Sequence, residues 1–155
     1  MPRTRRRAPA SPAISTARIF SSNSSSPPAA TGENEHMDIV KLGRVTRPGG
    51  PNIALGAATS ELVSVCLTAP DKSGTLAEQT IGILDVIESH FKTVGSSRAK
   101  LLMVQVWLAE ISQFAEFRDA WNTWIEGHEP PALSVVTGTT ARRDCLVEIR
   151  AYAAP

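Results

Sequence analysis

The sequence has few aromatic residues, only two cysteines, three histidines and no long apolar run. Four Phe, three Trp and one Tyr are 5% of 155 residues. Trp107, Trp121 and Trp124 therefore read as core and interface anchors rather than a platform for stacked bases. Cys66 and Cys145 form no CxxC pair and have no His partner nearby, which argues against a thiolate metal knuckle and favours two free thiols over a disulfide. Both read as small core residues in apolar strands of a protein kept in a reducing compartment. His36, His90 and His128 have no second ligand at metal spacing, so no zinc site is expected. No apolar stretch approaches the roughly 18–20 residues of a membrane span. Net charge is only +1, and residues 1–36 hold five Arg against two Glu, which leaves residues 37–155 at −2. An acidic domain without a basic stripe argues against a nucleic-acid partner.

Residues 1–36 differ from the rest. They are rich in Arg, Ser and Pro and carry no acid before Glu33. Such a stretch cannot bury enough apolar surface to fold and is expected to be a disordered extension. Its composition also fits an organelle transit peptide, which would change the expected location from cytoplasmic to mitochondrial. The globular pattern opens at Met37, so one domain over 37–155 is expected.

From there, Ile39–Val45 reads as a strand and Arg47–Pro51 as a Pro/Gly turn. Ile53–Ala58 and Leu62–Leu67 read as a hairpin around Thr59-Ser60-Glu61. Thr75 and Glu78 make a capping box for a helix from Leu76 to about Val94, with Gly95 as its stop. Leu101–Leu108 reads as a strand apolar on both faces. Leu102, Val104, Val106 and Leu108 make an aliphatic face fit for two helices, and Leu101, Met103, Gln105 and Trp107 make the other. Two helices cannot cover both faces, so packing against other copies of the chain is expected.

The last third carries the rest of the pattern. Apolar residues at 114, 117, 121 and 124/125 predict a helix over Phe114–Ile125, with Ser112 as its cap. A turn through Gly127-His128-Glu129-Pro130-Pro131 leads to a strand, Ala132–Thr137. The final strand, Cys145–Ala153, alternates: Cys145, Val147, Ile149 and Ala151 on one face, Leu146, Glu148, Arg150 and Tyr152 on the other.

These pieces, in this order, resemble the Rid family, also called YjgF or L-PSP proteins. The resemblance rests on Leu101–Leu108, the Ala-Trp-x-x-Trp helix ending at Trp124, Gly127-His128, Pro131-Ala132-Leu133-Ser134 and Val147-Glu148-Ile149. The Trp helix and the Gly-His turn look most like a short bacterial subgroup. The resemblance implies an α+β, chorismate-mutase-like fold: a curved mixed sheet with two helices on one face. It also implies a homotrimeric barrel with a small-molecule pocket between subunits. Archetypal members hydrolyse reactive enamines and imines to 2-oxoacids and ammonia without a cofactor.

The family's substrate carboxylate is held by an arginine in a Pro-Ala-Arg-Ser turn. Pro131, Ala132 and Ser134 match that turn, but the arginine position is Leu133. Leucine cannot pair with a carboxylate, and burying that charge unpaired costs several kcal/mol. The cysteine two residues later is Val135, the tyrosine after Gly-Pro is Asn52, and the asparagine of the second helix aligns with Arg118. Glu148 matches the family glutamate, thought to place water or a proton at the imine. The implied site is therefore Glu148 as the acid, with Leu133, Ser134, Val135, Asn52 and Arg118 lining it. Read as residues alone, Glu148 is equally a solvated strand glutamate beside Arg150, and Arg118 and Arg150 are either relocated anchors or salt-bridge partners. Ser134 has no His–Asp partner to make it a nucleophile. An imine hydrolase of altered or reduced activity, a non-catalytic metabolite-binding trimer and, last, an endoribonuclease are the functions this leaves.

Overall fold

The computed structural model describes residues 38–155. The expectations for residues 1–36 and for Met37 as the domain start lie outside the described residues. Six strands and two helices follow in the order β1 (Val40–Val45), β2 (Ile53–Ala58), β3 (Val63–Thr68), α1 (Leu76–Thr93), β4 (Leu101–Leu108), α2 (Phe114–Ile125), β5 (Ala132–Thr137) and β6 (Val147–Ala153). The strands form one mixed sheet in the order β1-β2-β3-β6-β4-β5. All neighbours are antiparallel except β4 and β5, which run parallel with α2 as their crossover.

Local chemistry fixes the turns. Gly49, at φ +74°, takes the left-handed corner of the β1–β2 turn that residues with a Cβ rarely adopt. The Thr59 hydroxyl accepts the Glu61 and Leu62 amides at 3.2 and 3.1 Å and closes the β2–β3 turn. The capping box of α1 is formed: Glu78 N–H donates to the Thr75 hydroxyl at 3.3 Å, and Thr75 N–H donates to Glu78 Oε2 at 2.8 Å. A second N–H of that first turn, on Ala77, donates to Glu116 of α2 at 2.9 Å. Ser112 does not cap α2. A single 3₁₀ turn, Ile111–Gln113, runs straight into the helix, so Gln113 occupies the cap position and makes no side-chain cap bond.

Both helices bury their apolar stripes on one face of the sheet. Leu76, Ile83, Leu84, Ile87 and Phe91 of α1 and Phe117, Trp121, Trp124 and Ile125 of α2 join one buried cluster. From the sheet come Val63, Val65 and Leu67, then Val104, Val106 and Leu108, then Val147, Ile149, Ala151 and Ala153. Burial of each large side chain contributes roughly 1.5–3 kcal/mol. Arg98 ties the far ends of the helices together. Its guanidinium stacks on Trp124 at 4.7 Å, donates to the Trp124 carbonyl at 2.5 Å and pairs with Glu88. That carbonyl belongs to the last turn of α2, where a cation meets the negative end of the helix.

Three expectations change here. Leu102 is 54% exposed rather than core, because β4 bulges between Leu101 and Met103 and Leu102 is the extra residue. The last strand starts at Val147, not Cys145. The Cys145 amide turns back to the Arg142 carbonyl at 3.2 Å, and the Leu146 amide goes to the Gln79 side chain at 3.0 Å. Cys145 is buried as expected, but Cys66 is half-buried on the face away from the helices, because its neighbours Val65 and Leu67 take the inward positions of β3. Both thiols are free.

Candidate functional site

Alternation of the strands puts one set of side chains on the helix-free face. Directly paired residues share a face, so three rows cross β3, β6, β4 and β5. They are Ser64–Tyr152–Met103–Ala132, Cys66–Arg150–Gln105–Ser134 and Thr68–Glu148–Trp107–Val136. The β3, β6 and β4 members are half-buried with no second layer over them. The face expected to be too apolar for water is therefore real in Met103 and Trp107, but polar side chains run through its middle.

Glu148 sits in this face with a specific neighbour. The Cys66 thiol donates to Glu148 Oε1 at 3.5 Å. No cation pairs with Glu148 among the described residues, although Arg150 lies two residues on along the same face. The Arg150 guanidinium lies instead over the Trp107 ring, 5.2 Å from its centroid. Gly138 lies close to Trp107, where an added Cβ would stand 3.4 Å from the indole. Burial pushes the Cys66 thiol above its ordinary pKa; Arg150 pulls it down, and the Glu148 charge pushes it further up. Glu148→Gln removes the last contribution, so the thiol pKa should fall. Iodoacetamide at pH 8 should then alkylate Cys66 faster, by about threefold for each half unit the pKa falls. Buried Cys145 should stay silent in both proteins, and an unchanged Cys66 rate would break the thiol–carboxylate contact.

The remaining expected site residues do not gather around Glu148 within one copy. Leu133 and Val135 pair with Val104 and Val106, so they point to the helix side, and Leu133 is 43% exposed because β5 is an edge strand. Ser134 is on the Glu148 face. Asn52 is exposed in the turn before β2, toward the opposite side of the sheet from β5. Arg118 is exposed on α2, bonded to Asp119 Oδ1 at 2.9 and 2.8 Å, with the sheet between it and Glu148. His128 is exposed in its turn, and its amide donates to the Ile125 carbonyl at 3.0 Å. Two shallow surface hollows lie elsewhere, one on the outside of α1 and one between Arg47, Lys72 and Arg142; neither touches these residues. Among the described residues, no three His, Cys, Asp or Glu side chains could hold one metal ion. Sequence reasoning missed Cys66 and Gln105 as members of this site, although alternation along β3 and β4 is the signal that finds them.

A sequence model of the Endoribonuclease L-PSP family matches residues 64–155, which run from the second residue of β3 through β6. The chain belongs to this family. The L-PSP assignment agrees with a RutC family protein of Haemophilus influenzae, 31% identical over 72 residues, or 46% of this chain. That match spans 62% of the relative's length, under two thirds of it. A YjgF family member from Neisseria meningitidis superposes at TM-score 0.67 with 28% identity, covering 77% of this chain and 96% of its own. A protein of Pseudomonas aeruginosa superposes at 0.67 with 26% identity, covering 76% and 98%. The L-PSP (YjgF, Rid) membership and its α+β fold, a curved mixed sheet carrying two helices, thus stand together. No described helix is long and apolar enough to cross a membrane.

Proposed function

We propose that this L-PSP chain is a hydrolase of small imines or enamines, with Glu148 as the group that moves the proton. One observation carries the reading: Glu148 is half-buried on an uncovered sheet face, held by a thiol, and free of any ion pair among the described residues. A carboxylate left without a cation keeps its oxygens for a substrate or a water. Glu148 takes one proton from water as its oxygen adds to the C=N carbon and passes it to the nitrogen. It then takes the hydroxyl proton of the resulting carbinolamine and passes that to the nitrogen too, so the C–N bond breaks, ammonia leaves and the carbon becomes a carbonyl. Leu133 in place of the family arginine shifts specificity away from substrates whose carboxylate is anchored at that position.

The site is completed between copies. Leu133 and Glu148 lie on opposite faces of one sheet, so they meet only if β5 of one copy reaches the helix-free face of the next. The apolar, unpaired edge of β5 and the uncovered Met103 and Trp107 support a homotrimer built that way. Light scattering on the full chain should give about three times the chain mass at micromolar concentration, and Trp107→Asp should lower it where Lys72→Asp does not. A wild-type monomer would remove the intersubunit site. The catalytic test couples the protein to a dehydratase that releases an enamine and follows carbonyl formation against the spontaneous rate.

A non-catalytic metabolite-binding trimer is the second reading, favoured by Leu133 and Asn52, which both depart from the family's substrate contacts. It predicts binding with no gain over spontaneous hydrolysis. Endoribonuclease activity gains nothing from an uncovered face whose polar centre holds one guanidinium and one carboxylate.

A further inference from the structure

We propose that Arg150, stacked on Trp107 and flanked in register by Gln105 and Ser134, binds the carboxylate of a small-molecule ligand. This rests on the hydrolase reading above and deepens it: the anchor lost at position 133 is supplied from β6.

Arg150 is half-buried as a residue, yet no Asp or Glu pairs with its guanidinium among the described residues. Glu148 is the obvious candidate, two residues away on the same strand face, but its Oε1 takes the Cys66 thiol instead. Stacking on an indole orients the guanidinium, and its nearest polar neighbours are the neutral Cys66 thiol and Tyr152 hydroxyl rather than a carboxylate. An oriented fork whose charge no carboxylate has taken is suited to take one through two parallel N–H···O bonds.

The neighbours point the same way. Gln105 pairs with both Arg150 and Ser134 across the strands, so guanidinium, amide and hydroxyl form one continuous polar row. Neither Gln105 nor Ser134 makes a side-chain hydrogen bond to a described residue. The row is bordered by Met103 and Trp107, so these polar groups sit in an otherwise apolar patch. The charge favours an anion, and the thiol beside Arg150 stays protonated near neutral pH because burial raises its pKa. Glu148, next along the strand, is then placed for the reacting carbon of a ligand held by Arg150.

The test is calorimetric, on the full chain in phosphate-free buffer, with pyruvate and its uncharged methyl ester as probes. Wild type should bind pyruvate about tenfold or more tighter than the ester. Arg150→Met, which keeps the stem over Trp107, should erase that preference with the assembly mass unchanged. Arg150→Lys, which keeps charge but not the fork, should fall between. Three results would overturn the proposal: no preference in wild type, a preference that survives in Arg150→Met, or loss of assembly in Arg150→Met, which would assign the guanidinium to a contact between copies. Binding of pyruvate needs no turnover. Arg150-dependent binding without catalysis would therefore sink the hydrolase reading and leave the anchor standing, whereas turnover indifferent to Arg150 would do the reverse.

Discussion

Gln79→Leu is expected to unfold about 10–15 °C below the wild-type chain, the shift that corresponds to roughly 3 kcal/mol in a domain of this size. Gln79 is 1% exposed on α1, yet every polar atom of its amide is used. Its Nε2 shares two hydrogens among the carbonyls of Lys72, Gly74 and Asp144, which lie at 3.1, 3.2 and 3.1 Å, and its Oε1 accepts the Leu146 amide at 3.0 Å. One side chain thus holds the loop before α1 against the segment that starts β6. Leucine has nearly the same volume, so the loss is not a cavity. It is the stranding of a buried N–H and three carbonyls, at about 1–3 kcal/mol for each group that water cannot reach. Gln79→Glu should be as bad or worse, because a carboxylate would face three carbonyl oxygens. Thermal melts at one fixed protein concentration would measure this, since assembly makes the midpoint concentration-dependent. A Gln79→Leu midpoint within about 2 °C of wild type would mean that solvent takes over these bonds.

Gln79 also shows where the sequence stops being legible. The periods of α1, α2 and β4 are local, and each can be read to within a residue of its bounds. The start of β6 cannot, because Leu146 leaves the ladder for a partner 67 residues away. Leu102 reads as core by alternation along β4; the bulge that expels it exists only opposite β6. Cys66 was legible: Val63, Val65 and Leu67 take the inside, which leaves position 66 out, and its apolar character pulled the expectation the other way. The candidate site is the least local feature. Cys66, Arg150, Gln105 and Ser134 come from four strands whose spatial order, β3-β6-β4-β5, no local signal contains. Family resemblance supplied Glu148, but not the face it shares nor the neighbours that hold it.

Glu148→Ala is expected to slow imine hydrolysis by about 10²-fold or more, the usual loss when a positioned acid–base group is removed. The proposed mechanism gives this carboxylate two roles. Its Oε1 accepts the Cys66 thiol at 3.5 Å, and in the hydrolase reading its charge and proton serve the water. Glu148→Gln keeps an acceptor for the thiol and loses the proton transfer, so it should be nearly as slow as Glu148→Ala. Cys66→Ala keeps the carboxylate and loses its tether, so its rate should fall far less, with Cys66→Ser restoring most of it. No described salt bridge involves Glu148 and the side chain is only half-buried, so none of these changes should move the melting temperature by more than about 2–4 °C. Rates are read as carbonyl formed from a dehydratase-generated enamine, with spontaneous hydrolysis subtracted. Equal, fast turnover in wild type and Glu148→Ala would put the reacting atoms away from this face. If neither protein exceeds the spontaneous rate while pyruvate still binds wild type, the chain is the non-catalytic binder.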